Sequence, residues 1–356
     1  MTPLRVGIGF GPGPGGWSEA LVYVREAERL GVDSAWTSEA WGFDAVTPLA
    51  LLSGQTERIR LGTGIVQVGT RTPALIAMTA LTLQAISAGR FILGLGSSGP
   101  QVIEGWHGIP FQRPLQRLRE TVDIVRAACR GERLAYHGTV YRLPLPGGEG
   151  RPLRTSAPPA DVPIYLATLG PRALEVTGEI ADGWIASSFM PTRSTTFLEP
   201  IRRGAARAGR SLDRFEIVAG GVVQFGDDIE RLAAARKPGF AFEIGAMGSR
   251  EKNFYKDAYA RQGWPELVER VQALWLERRR EEAAALIPDA FVLEANLLGT
   301  EAIVRDRIRA YRNGGVTTIQ VTPAGETLAE RLETLGRFMA LVAEVDREAP
   351  PSPEPA

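Results

Sequence analysis

Two stretches of this chain join an apolar, β-branched run to a turn built from ligand-binding residue types: 59–73 (IRLGTGIVQVGTRTP) and 90–111 (RFILGLGSSGPQVIEGWHGIPF). Glycine in such turns lets the backbone approach a flat ring or a phosphate, and Ser, Thr and free N–H groups supply donors. Four nearby groups have the chemistry to exchange a proton: Glu39 and Asp44 after an earlier strand, and Glu104 and His107 within EGWHG. Glu39 stands at a strand end, from which a barrel aims side chains at a site; an ion pair is its other use. His107 equally suits a hydrogen bond that steadies its own loop. Trp41 and Trp106 are placed to wall a ring or a substrate pocket, or to pack as a lid. Gly94, Gly96 and Gly99 formally match the dinucleotide fingerprint, but that turn needs a helix opening at the glycines. Pro100, Gly105 and Pro110 delay the next helix to about Pro114, so a floor beside a flat cofactor is the better reading.

The elements that must position these groups recur with a regular cadence. Strand-like runs begin near Leu4, Asp33, Ile59, Arg90, Val162, Asp182, Phe215 and Thr317, with helical patterns between them. The first helix is expected to start at Ser18 as N-cap and to stop at Gly31. Another starts at Thr72-Pro73, cap then first helical position, and the last carries Leu328, Leu332, Leu335, Met339 and Val342 on one stripe. The strands are continuously apolar rather than alternating, as when both faces are covered. The α/β class that follows is a (β/α)8 TIM barrel, one domain over 1–348. Two insertions interrupt it, at about 131–161 and 237–299. The first has room for a hairpin of Leu134–Tyr136 with Val140–Leu143; its glycines lack the Lys-Ser/Thr of a phosphate loop. The second is helical and suits a lid. The tail 349–356 (APPSPEPA) is expected to be disordered. Ligands of such folds bind outside the carboxyl ends of the strands, so both turns should line one site.

Composition excludes several classes. Lys+Arg and Asp+Glu number 41 each, which leaves no global field for nucleic acid or an anionic membrane. With His107 and His137 as the only histidines and Cys129 the only cysteine, neither a multi-histidine metal site nor an intrachain disulfide can form. Cys129 falls in a helical pattern and reads as a buried, inert thiol. No run has the length and apolarity of a membrane span, so a soluble cytoplasmic enzyme is the default.

Six segments in order resemble the luciferase-like flavin and deazaflavin oxidoreductases, in particular the coenzyme F420-dependent branch related to methylenetetrahydromethanopterin reductase. They are WTSEAWG (36–42), GTGIVQVGTRTPA (62–74), GRFILGLGSSGPQVIEGWHG (89–108), YLATLGP (165–171), ADGWIASS (181–188) and GAMGSREKNFYKD (245–257). The resemblance implies a bacterial luciferase-like barrel with a non-prolyl cis peptide in the third strand, placed at Gly64–Ile65. It implies that the deazaflavin ring lies near Glu39, Gly64, Ile65, Gly96, Ser97 and Ser98. It sets the cofactor's phosphate by Ala167, Leu169 and Gly170, where a helix begins at Pro171, with Ser187 and Ser188 as further hydroxyl donors. Plain tight turns are the alternative use of those residues.

The activity so implied is hydride transfer between the deazaflavin C5 and a small organic C=N, C=C or C=O group, with Glu39, Glu104 and His107 as catalytic candidates. A sugar-phosphate dehydrogenase branch carries His directly after the acidic residue of the second strand; Ala40 stands there, which argues against that reaction. Arg71, Arg113, Arg193 and Arg250 would meet an acidic cofactor tail or an anionic substrate, or else are solvated. The nearest rival is an FMN-dependent monooxygenase on the same scaffold, and a non-enzymatic flavin carrier is a third. A homodimer paired through early helices is expected from the resemblance.

Overall fold

The structure is a computed structural model and describes residues 3–13, 15–248 and 253–348. Eight parallel strands close on themselves: β1 (Arg5–Gly9), β2 (Ser34–Thr37), β3 (Arg60–Thr63), β4 (Phe91–Gly96), β5 (Ile164–Ala167), β6 (Gly183–Ile185), β7 (Glu216–Phe225) and β8 (Thr318–Pro323). They pair in chain order and β8 returns to β1, Arg5 lying beside Thr318. With helices outside and side chains inside, both faces of each strand are covered. Every residue of β2 and β4 is accordingly buried. Trp36, Ile92, Tyr165, Ile185 and Val218 fill the interior, and Ile65 and Ala167 close it from above.

The base of the barrel is sealed by charge. Arg60 bonds Asp33 and Glu216, its Nη1 lying 3.1 Å from both Glu216 oxygens, and Arg5 reaches the same carboxylate at 2.9 Å. Burial pushes the nearby Tyr165 hydroxyl well above the usual phenol range, and the Glu216 charge adds to it.

Several local expectations need correction. The first helix spans Gly16–Arg29 and is capped by the Gly15 backbone without a side-chain bond, so Ser18 lies inside it rather than at its cap. The glycine turn after β4 does not run unbroken to Pro114: one turn of helix, Pro100–Ile103, forms first. Pro100 at N1 costs nothing there, because the missing N–H has no intrahelical partner. The hairpin of the first insertion is shorter than expected, Tyr136–His137 against Arg142–Leu143. The carboxylate of fully buried Glu120 gathers its far side, accepting from the N–H groups of Thr139, Val140 and Tyr141 at 2.7–3.0 Å. Thr72 does cap Pro73–Ile86, accepting from Leu75 N–H, and Cys129 is buried, its thiol pushed up by burial to about 11.

The second insertion builds its own apolar core on helices Lys237–Ala246, Phe254–Arg261, Pro265–Leu276, Arg280–Ala285 and Asp289–Glu294. Tyr259 and Phe291 pack at its centre as a tilted pair, ring centroids 4.8 Å apart and planes at 51°. It ends in a short strand, Leu297–Gly299, paired with the upper part of β7. No helix among the described residues is long and apolar enough to cross a membrane. The tail 349–356 lies outside the described residues.

Candidate active site

The carboxyl ends of the strands form one rim, and most of the expected residues lie on it. Between β3 and a two-residue strand, Val66–Gln67, the Gly64–Ile65 peptide is cis. Gly64 N–H is held by the Thr37 carbonyl at 2.6 Å. Ile65 comes up against Gly96: a Cβ there would lie 3.0 Å from Ile65 Cγ1 and 3.6 Å from the Ala167 carbonyl oxygen. Ile65, Gly96 and Ala167, far apart in the chain, thus make one smooth floor at the top of the interior core. Gly94 has a different task, since a Cβ there would overlap the Thr63 carbonyl oxygen. The Thr63 hydroxyl both accepts from Gly94 N–H, at 2.8 Å, and donates to its carbonyl, at 2.9 Å. Ser97 and Ser98 follow half-buried, Ser98 with a left-handed φ of 57°.

Glu39 is heavily engaged. Its two oxygens take both Nη groups of Arg71, together with Gln67 N–H at 3.3 Å and Ala45 N–H at 3.2 Å. Gln67 in turn donates to the carbonyls of Glu39 and Ala40, while its own side-chain oxygen is buried without a partner among the described residues. Asp44 accepts from Val46 and Thr47 N–H, both at 2.8 Å. Burial alone would raise its carboxyl, but those bonds and the Arg71 charge hold it below the ordinary range. Glu104 is exposed and one of its oxygens accepts from Phe111 N–H at 2.9 Å. His107 is exposed beside it. Trp41 and Trp106 stand 57% and 66% exposed, so neither is core packing.

On the opposite sector Gly170 caps the helix Pro171–Ile180 through its backbone alone, with open space where a Cβ would be. The Leu169 carbonyl accepts from Arg261 Nη2 at 2.7 Å, which brings a cation to this helix start; Arg261 Nε is buried and has no partner among the described residues. Ser187 is half-buried. Ser188, at φ 51°, donates its hydroxyl to Glu243 of the second insertion. Tyr259 donates to the other Glu243 oxygen at 3.2 Å, and Gln262 ties the Ser188 carbonyl at 2.6 Å. Burial raises the Glu243 carboxyl above its ordinary range, against the two hydroxyl bonds.

Arg71, expected at an acidic ligand or in solvent, is therefore the partner of Glu39. Arg113 and Arg193 are exposed, and Arg250 lies outside the described residues. Arg261, Glu243, Tyr259 and Gln262 were not foreseen. One signal for Glu243 was present, a single acid inside the apolar run GFAFEIGA. A cavity of about 500 Å³ lies at the other end of the barrel, between Arg126, Cys129, Ala160 and Ile164. Its two arginines, Arg126 and Arg130, are already paired, with Asp182 and Glu132 respectively, and it is remote from the rim. Among the described residues no cluster of His, Cys, Asp and Glu could hold a metal ion.

Comparison with known proteins places this geometry in context. The family model for luciferase-like monooxygenases matches residues 1–318. A Mycobacterium tuberculosis protein named as a coenzyme F420-dependent oxidoreductase is 43% identical over 308 residues, covering 84% of this chain and 89% of that protein. The 5,10-methylenetetrahydromethanopterin reductase of Archaeoglobus fulgidus is 26% identical, over 94% of this chain and 98% of its own. Among solved structures, the coenzyme F420-dependent tetrahydromethanopterin reductase of Methanopyrus kandleri superposes with a TM-score of 0.76 at 24% identity, covering 94% of this chain and 98% of that one.

Proposed function

This chain belongs to the luciferase-like monooxygenase family, and from that membership we propose that it is a coenzyme F420-dependent oxidoreductase acting on a small organic C=N, C=C or C=O group. The observation that carries the reading is the rim itself: a flat floor of Ile65, Gly96 and Ala167 lies on the sheet beside a helix start that faces a guanidinium. A planar ring fits the floor, where any Cβ at Gly96 would intrude. A phosphate fits the Leu169–Gly170 turn, which offers first-turn N–H groups, with the Arg261 guanidinium held beside it by the Leu169 carbonyl. When bound, the deazaflavin supplies or receives the hydride at its C5.

The chain's own residues orient and cover it. Arg71 and Glu39 brace the segment that carries Ile65 and Gln67, so we read Glu39 as a positioning group with no oxygen to spare. Glu104 and His107 stand on the exposed segment after β4, where an acceptor would be enclosed, with Trp41 and Trp106 as apolar walls. Gly64, Ser97, Ser98 and Ser187 complete the proposed contacts. A homodimer accords with the apolar residues Leu51, Leu75, Met78 and Ile86, each about half exposed on the neighbouring helices Thr47–Ser53 and Pro73–Ile86.

Cofactor titration tests the reading. Saturable micromolar binding of F420 without binding of FMN is the expected result; the reverse selects the monooxygenase alternative. Arg261→Ala should weaken F420 binding about 10- to 100-fold, the size of one charge-assisted contact, while leaving Tm close to the wild type.

A further inference from the structure

The segments after β2 and β4 are each fastened to the stretch of chain that carries Ile65 of the floor. Two residues beyond Ile65, the Gln67 side chain donates to the Glu39 and Ala40 carbonyls at 3.2 and 3.3 Å, which fixes the backbone just before Trp41. Two residues further, Gly69 receives the segment after β4: a Cβ there would lie 3.2 Å from Ile103 Cδ1. The N–H groups of Trp106 and His107 both return to the Val102 carbonyl, at 3.2 and 3.1 Å, so Trp106 rides on the same tight turn. Because β3 lies between β2 and β4 in the sheet, Trp41 and Trp106 stand on opposite flanks of the bulge that bears Ile65. Phe43, 62% exposed, adds a third ring to the β2 flank. It meets Trp17 edge-on with centroids 5.2 Å apart, and Trp17 meets buried Phe10 in the same way at 5.6 Å. Phe10 N–H is held in turn by the Trp36 carbonyl at 2.7 Å. A ladder of rings thus runs from the barrel core to the open rim, and its last member is held in water by those behind it. Large apolar side chains exposed together on a rim mark a binding surface, and a ring held from behind loses little freedom when a ligand covers it.

The charged groups of the same segments are already engaged. Residues 38–46 and 97–112 contain no Lys or Arg. Of their acids, Glu39 is paired with Arg71, Asp44 accepts from Val46 and Thr47 N–H, and Glu104 accepts from Phe111 N–H. An anion placed between these flanks would shed water with no cation of either segment to replace it, and a cation would find the acids engaged. We propose that the acceptor is an uncharged molecule with a ring-bearing apolar body, its C=O, C=N or C=C carbon laid over the floor and its body covered by Trp41, Phe43 and Trp106. This deepens, and rests on, the F420-dependent reading above. The three rings select the acceptor; they move neither proton nor hydride.

The probes that test it are 2-acetylnaphthalene and its 6-carboxylate and 6-trimethylammonium analogues, which share one ketone and one ring system and differ in charge. Calorimetric titration into enzyme saturated with oxidised F420 reads their binding without turnover. The neutral ketone should bind at least about tenfold tighter than either charged analogue, with the negative heat-capacity change of apolar burial. Trp41→Ala and Trp106→Ala should each weaken its binding at least about fivefold. Trp106→Arg should move the preference toward the carboxylate, a change of selectivity that general loosening of the rim does not produce. The comparison of the three probes on the wild type needs no variant and decides the matter if a variant does not fold. Absence of saturable binding of the neutral ketone, equal or tighter binding of a charged analogue, or unchanged affinity in both alanine variants overturns this proposal alone. Failure of the wild type to bind F420 overturns the functional reading and this proposal with it.

Discussion

Glu39 and Glu120 are both acids bound by several donors, yet they serve different parts of the molecule. Glu39 is paired with Arg71 at the rim, and either partner removed leaves the other close to buried without its counter-charge. Arg71→Ala should therefore cost roughly 2–4 kcal/mol in urea unfolding, and Arg71→Lys should recover only part, because an ammonium cannot make the paired contact. Glu120 shows the same logic remote from chemistry. Burial alone would raise its carboxyl, but bonds from the Gln116 side chain and from Tyr141, Thr139 and Val140 N–H hold it below the ordinary range. A depressed folded-state value means that its stabilisation is complete above the unfolded-state value and disappears as pH falls through the folded one. The stability advantage of wild type over Glu120→Gln should thus be full at pH 7 and shrink below about pH 4, as thermal melts across that range would record. Neither pairing was legible in the chain: Glu39 and Arg71 are 32 residues apart, and charge alone does not name a partner.

Elements were far more legible than pairings, for a physical reason. A strand covered on both faces must be apolar at every position, and that run is visible without knowing its neighbours. All eight barrel strands were found this way, and the Thr72-Pro73 helix start followed from its cap and its missing N–H. The two-residue strand Val66–Gln67 and the one-turn helix Pro100–Ile103 were not, since pieces so short carry no period. The sequence reads the glycines of β4 as one floor beside a cofactor, whereas Gly94 lies against the Thr63 backbone and Gly96 against Ile65. Gly94→Ala should drive β3 and β4 apart and yield little folded protein, since the added methyl meets a backbone carbonyl. Gly96→Ala meets Ile65 side-chain atoms instead, so it should fold and lose most of its affinity for a planar cofactor. Circular dichroism beside F420 titration separates the two outcomes; a well-folded Gly94→Ala would contradict the packing described for Thr63.

For the whole molecule, the barrel followed from cadence, but the way the second insertion meets it did not. That junction is made by Arg261 on Leu169, Gln262 on Ser188 and Gln101 on the Gly248 carbonyl, contacts of 92, 74 and 147 residues' separation. Helical periodicity predicts that the insertion buries an apolar face and says nothing of which polar tips touch the rim. The outward apolar residues of the early helices make a prediction at this scale as well. Wild type should run as the proposed homodimer and Met78→Glu as a folded monomer on size-exclusion chromatography with light scattering; an equal mass for the two would assign that face to another use.

The packed interior and the charged seal formed by Arg5, Asp33, Arg60 and Glu216 leave no passage through the barrel. A vessel stoppered from beneath has a single doorway, and two guests that share it must respect precedence. The one seated on the floor has to arrive before the one that sits above it and depart after it. Turnover should accordingly obey a compulsory order, in which the later arrival imprisons the earlier and slows its escape.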